Sequence, residues 1–256
     1  MAWPLVTKLF GFDPKKPSTA SAASSLVCLV HGFPITYGSY TFIINNPTWD
    51  ISAPLSAFSL ESQTLAVTLL NFCAAYMLQD LLMMGVNAWV HTPASEPNLT
   101  SFCLHHTGCV LYMSLVHYYG AGHLSLMVLI FFGEVTNPLQ NLVNLAVNGR
   151  TASLTPGGRQ LWSKIDNFLA LPFGLIFFLV RAVLGPLLAA SYLAHFGWGY
   201  WIELGGTGSN DVPFFVGILW TVMVCATVHG SVPFAVEKLE RAGLWGQGEK
   251  GGEKRE

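Results

Sequence analysis

The sequence predicts an all-α, polytopic membrane protein with six transmembrane helices in one domain. Three observations predict it. Of 256 residues, 52% are hydrophobic and 10% charged, whereas a soluble domain carries about a quarter charged residues, so too few charges remain to cover a water-facing surface. The apolar runs are long enough to cross a bilayer. The basic residues fall on one side of those runs.

Residues 1–18 form a cytosolic or interfacial head that ends in Lys15, Lys16 and Pro17. Its apolar part is too short for a signal-peptide core and no cleavage pattern follows. The membrane domain is expected over 19–241. Its first span, 20–44, holds His31, and Pro34 within it removes a helix hydrogen bond. A polar, turn-rich loop leads to the second span, 63–90, with Asp80 inside. The third, 101–119, opens on His105 and His106, and Gly120 and Gly122 turn the chain into the fourth, 123–147, which carries Glu134, Asn137 and Pro138. A loop over 148–164 precedes the fifth span, 167–195, with Arg181 inside and bends expected at Pro172 and Pro186. The sixth covers 212–236, and the charged, Gly-rich tail, 242–256, is expected to be disordered.

Six spans put both termini on one side. The segments on that side carry Lys8, Lys15, Lys16, Arg150, Arg159, Lys164, Lys238, Arg241, Lys250, Lys254 and Arg255. The first, third and fifth loops carry no Lys or Arg. The positive-inside rule therefore predicts cytosolic termini, with Trp198, Tyr200 and Trp201 as an aromatic belt at the opposite interface. The sequon Asn98-Leu99-Thr100 falls in a cytosolic loop and is expected to stay unglycosylated.

A net charge of −2 offers no basic face to nucleic acid. The five cysteines, without any CxxC, read as small buried hydrophobes. Adjacent helical histidines point about 100° apart, so they do not chelate one ion, and no metal or other cofactor is expected. No inverted repeat marks a transporter.

Asp80, Glu134 and Arg181 each cost about 2.5–3.5 kcal/mol at mid-bilayer on insertion scales. They should face inward, pair or meet water. The economical arrangement is an inward cluster of Asp80, Glu134, Arg181, His105, His106 and His31, with Arg181 bridging one carboxylate and a histidine beside the other. That cluster would border a lipid or acyl site, or would be an ion pair that only fixes helix register. His91, His117, His123, His195 and His229 read as solvated boundary residues.

The pattern resembles the TLC domain family, named for TRAM, Lag1 and CLN8. It consists of Asp80 in YMLQDLL, His105-His106 in SFCLHHTGCVLY, Gly120, Glu134 in FFGEVTNPLQN and Arg181 in FFLVRAV. His31 in LVHG is similar to the branch of TLC domain-containing protein 4. The resemblance covers about residues 22–240. It implies six transmembrane helices around a central cavity, in the endoplasmic reticulum or another internal membrane, and a role in handling lipid.

The family's ceramide synthases carry two Asp residues three apart, where this chain has Glu134 and Asn137. An amide is no base. The resemblance therefore implies the non-synthase branch: a protein that binds or senses membrane lipids through His31, Asp80, His105, His106, Glu134, Asn137 and Arg181 and contributes to lipid homeostasis. An acyl-CoA-dependent acyltransferase, with His105, His106 and Glu134 catalytic and acyl-CoA as co-substrate, is the enzyme alternative. A structural subunit of a larger membrane complex, held by lateral helix partners or as a homo-oligomer, is the third.

Overall fold

The computed structural model describes residues 2–48, 50–90, 99–198 and 211–244. Asn98 of the sequon, His91, Tyr200, Trp201 and nearly all of the expected disordered tail lie outside the described residues. Eight main helices account for most of the rest: α1 (Pro17–Asn45), α2 (Leu60–Val90), α3 (Leu99–Tyr119), α4 (His123–Glu134), α5 (Asn137–Ala152), α6 (Pro156–Phe178), α7 (Gly185–Tyr192) and α8 (Phe214–Arg241). Wider π-helical stretches, Leu179–Leu184 and Leu193–Trp198, precede and follow α7. Among the described residues there is no strand, only isolated bridges at Phe12–Ser153 and Pro54–Ala121.

Among the described residues, five runs are long and apolar enough to cross a membrane: Pro17–Asn45, Leu60–Met83, His123–Ala152, Pro156–Gly197 and Phe214–Arg241. The third expected span, α3, is helical over 21 residues but is not one of the five. Its three histidines and its Ser and Thr residues dilute its apolar character. Many large apolar side chains point outward, Leu82, Leu104 and Phe168 among them. A water-facing surface would bury these side chains, whereas lipid accepts them.

The expected loop over 148–164 is largely helical. α5 continues to Ala152 and α6 restarts at Pro156. Thr155 caps α6, its Oγ1 accepting from the Gly158 N–H at 3.1 Å, and Pro156 takes the first turn, where its missing N–H leaves nothing unmade. Only three residues are needed for the turn.

The chain divides into two compact units. The first comprises Met1–Thr36, Phe132–Leu187 and Val228–Glu256, and the second Tyr37–Phe131 and Leu188–Thr227. Among the described residues, all nine Lys and Arg side chains belong to the first unit and none to the second.

In the first unit the head folds onto the α5–α6 corner. Val6 and Phe12 are buried with Ala22, Ala23, Leu145 and Ala152, and Trp162 packs edge-on against Phe10 and Phe12. The Asp13 N–H donates to the Ala152 carbonyl at 2.8 Å, and the Leu154 N–H to Gly11 at 3.0 Å. Gly149 lets the α6 indole sit on the α5 backbone, since a Cβ there would lie 2.5 Å from Trp162. Val143, Phe173, Phe177 and Ala235 form a second cluster joining α5, α6 and α8.

In the second unit the segment between α1 and α2 closes onto the α3–α4 turn. The Leu55 N–H donates to Gly120 O at 2.7 Å and the Gly122 N–H to Ala53 O at 3.1 Å. Gly122 has φ +79° and faces Trp220, whose ring would lie 2.6 Å from an added Cβ. Trp220 stacks on Tyr112 with centroids 4.6 Å apart.

Candidate functional site

The seven expected site residues fall into two groups, one in each unit. In the second unit, His106 is buried and its Nε2 lies 2.9 Å from Asp80 Oδ2, joining α3 to α2. Adjacent residues on a helix diverge by about 100°, so His105 points elsewhere. It is exposed, its ring meets that of His106 edge-on at 5.6 Å, and its Nε2 lies 3.7 Å from Cys109 Sγ, one turn later. Cys109, read from the sequence as an inert buried residue, is thus the i+4 neighbour of a histidine and only half-buried. That spacing was visible in the sequence.

In the first unit, Asn137 Nδ2 donates to Glu134 Oε2 at 2.9 Å across the break between α4 and α5. Pro138 lacks the N–H that would continue the ladder there. Arg181, in the π-helical stretch Leu179–Leu184, donates to the Gly133 carbonyl and lies 5.5 Å from the Phe177 ring centroid. His31 is buried in α1 beside Gly32, which lies against the Pro138 ring. His31, Glu134, Asn137 and Arg181 therefore share a unit, and Asp80, His105 and His106 share the other.

Three features were missed from the sequence. Asp166 is almost fully buried and clamped by two arginines: Arg150 Nη1 lies 2.6 Å from its Oδ2, and Arg241 Nη2 donates to its Oδ1. Arg150 falls in the segment that the sequence predicts as a loop, which hides the pairing. The second feature is a hydroxyl chain. Ser125 Oγ donates to the Gly122 carbonyl at 2.7 Å, so its single proton is used and Tyr112 must donate to it at 2.8 Å. The Tyr192 hydroxyl donates to the Ser125 carbonyl. Third, His123 is not a solvated boundary residue but 1% exposed, because the α3–α4 turn folds its ring inward.

Among the described residues no group of three or more His, Cys, Asp or Glu side chains could hold a metal. An open groove of about 690 Å³ runs between α1 and α2, lined by Thr41, Asn45, Glu61, Thr64 and Thr68 among others, and none of the seven expected residues lines it. Chemically, the second unit offers one imidazole backed by a carboxylate and one beside a thiol, and the first unit offers a carboxylate held by an amide.

The profile of the TLC domain family, TRAM/LAG1/CLN8, matches residues 21–228. The TLC domain-containing protein At5g14285 of Arabidopsis thaliana is 25% identical over 230 residues, covering 89% of this chain and 80% of that protein. No solved structure matches significantly.

Proposed function

Because the chain belongs to the TLC domain family, we propose that it binds or senses membrane lipid and contributes to lipid homeostasis, on the non-synthase branch that includes TLC domain-containing protein 4. The observation that carries this is the contact at 2.9 Å between buried His106 on α3 and partly exposed Asp80 on α2. Polar groups in spanning segments mark substrate or ligand paths because placing them there is costly. Asn137, tied to Glu134, stands where a ceramide synthase would carry its second carboxylate, which favours binding over acyl transfer to an amine. The charge asymmetry between the units supports cytosolic termini. The membrane we assign is the endoplasmic reticulum or another internal membrane.

The test is mass spectrometry of lipid retained by the purified protein, wild type beside the His105→Ala/His106→Ala double variant. A discrete lipid class on the wild type supports the reading. Lipid-free protein in both samples overturns it and leaves a structural subunit.

The acyltransferase reading is favoured by the same dyad. A carboxylate at 2.9 Å fixes the tautomer and orientation of His106 as a general base would need. It requires His106→Ala to abolish transfer from acyl-CoA with expression intact, and undiminished turnover excludes it.

A further inference from the structure

The groove between α1 and α2 lies wholly within the second unit and away from the seven expected site residues. Contacts hold its walls on either side. One turn before Thr41, Gly38 brings the two helices together, since a Cβ there would lie 2.5 Å from Leu69. Past the end of α1, Asn46 Nδ2 donates to the Phe42 carbonyl at 2.7 Å and to Ser62 Oγ at 3.0 Å, tying α1 to the first turn of α2. Between these ties the helices part around a volume of about 690 Å³, inside the range of about 300–1,000 Å³ common for small-molecule sites.

The lining is chemically one-sided. Each threonine hydroxyl spends its only proton on its own helix: Thr41 donates to the Tyr37 carbonyl at 2.9 Å, Thr64 to Leu60 at 2.9 Å and Thr68 to Thr64 at 2.7 Å. What these side chains can turn to a ligand is therefore lone pairs. Glu61 adds a carboxylate, which only accepts when ionised, and Asn45 adds an amide. Glu61 and Thr68 stand seven residues apart, about 10 Å along α2.

That pattern selects its occupant. An anionic headgroup meets no cation, because the described residues of the second unit include no Lys or Arg, and Glu61 repels it. An ammonium gathers its donors at one point, and a sterol carries a single hydroxyl. Neither matches acceptors spread over two helical turns. A sugar ring does, with hydroxyls on several sides, and Leu60 and Leu65 give it apolar contact. We propose that this groove binds the headgroup of a neutral glycosyl lipid, whose hydroxyls donate to Glu61, Thr41, Thr64 and Thr68. It is a second lipid site, and it does not depend on the contact between His106 and Asp80.

The experiment places the purified full-length protein in phosphatidylcholine nanodiscs containing monoglucosyl diacylglycerol with a photoreactive diazirine near the glycerol, and maps the cross-links by peptide mass spectrometry. Cross-links should fall within residues 41–45 and 60–68. Unlabelled monoglucosyl diacylglycerol should suppress them, whereas diacylglycerol, phosphatidylglycerol and stearylamine should not. Glu61→Gln, a change at an exposed position, should weaken competition by the unlabelled glucoside about tenfold, the effect of losing one hydrogen bond to a charged group. Thr64→Val/Thr68→Val, which keeps side-chain shape, should weaken it as well, and Glu61→Gln decides alone where that double variant does not fold. The His105→Ala/His106→Ala variant should cross-link as the wild type does. Cross-links outside the groove, equal competition by diacylglycerol, phosphatidylglycerol or stearylamine, or Glu61→Gln indistinguishable from wild type overturns the assignment. Endogenous lipid retained by a wild type that gives no groove cross-link sinks this inference alone. A cross-link lost only in the histidine variant moves the lipid to the histidines and overturns the groove site while supporting the first lipid reading.

Discussion

The two units hold their buried polar groups by different chemistry. The first uses full charges: Asp166 between Arg150 and Arg241, and Arg181 on the Gly133 carbonyl. The second has no Lys or Arg, and relies on neutral hydroxyls from Tyr112 to Ser125 and from Tyr192 to the Ser125 backbone. There a partly exposed carboxylate, Asp80, is met by an imidazole, that of His106. A charged pair needs both members desolvated together, whereas a hydroxyl chain costs less to bury and contributes less. The arginine–carboxylate contacts lie in one unit, and the imidazole–carboxylate contact of His106 with Asp80 lies in the other.

That contrast predicts a ranking of effects. Replacing both Arg150 and Arg241 with Ala strands a carboxylate whose side chain is 3% exposed, and should destabilise by about 3–5 kcal/mol. Thermal unfolding in detergent should show a large drop for the double variant and a smaller one for either single change, since each arginine is about two-fifths exposed. Equal loss from one arginine and from both would break the clamp picture.

The glycine–tryptophan contacts come next, one in each unit. Gly149→Ala overpacks against Trp162 and should cost about 1–3 kcal/mol. Gly122→Ala meets Trp220 and must also hold φ +79°, which adds about 1–2 kcal/mol for a residue with a Cβ. Melting temperatures should therefore order wild type above Gly149→Ala above Gly122→Ala.

Smaller effects belong to the second unit. A double-mutant cycle of Asp80→Asn and His106→Ala should return about 0.5–1.5 kcal/mol of coupling, since Asp80 is partly exposed. Additive losses would mean that the 2.9 Å contact carries no energy of its own. Tyr192→Phe, which removes one neutral donor, should cost only about 0.5–1.5 kcal/mol in the same unfolding assay.

The fold class was legible because apolar runs and charge asymmetry are properties of composition along the chain. The six expected spans all coincide with helices, and among the described residues five runs meet the length and apolarity of a crossing segment. The His-His pair was legible as a site, but its division of labour was not. Side-chain direction separates His105 from His106, and the partner of His105 was sorted among inert cysteines. The Asp166 clamp was hidden for another reason. Its three members lie 16 and 75 residues apart along the chain, and one of them sat in a segment read as loop. The hydroxyls of Tyr112, Ser125 and Tyr192 left no pattern, because single Ser and Tyr residues in apolar helices look like ordinary packing. His123 looked peripheral at the end of a span and is buried because Gly120 and Gly122 let the turn fold back.

The clamp also fixes an order of events during synthesis. Asp166 and Arg150 emerge from the ribosome within one turn-linked helix pair, but Arg241 arrives at the end of the last described helix. Until then the carboxylate has one arginine instead of two, and the head at residues 2–16 already waits on the α5–α6 corner. The first unit is started by the beginning of the chain and finished by α8, so a chain cut short before residue 241 carries an unfinished charge where the complete protein has a settled one.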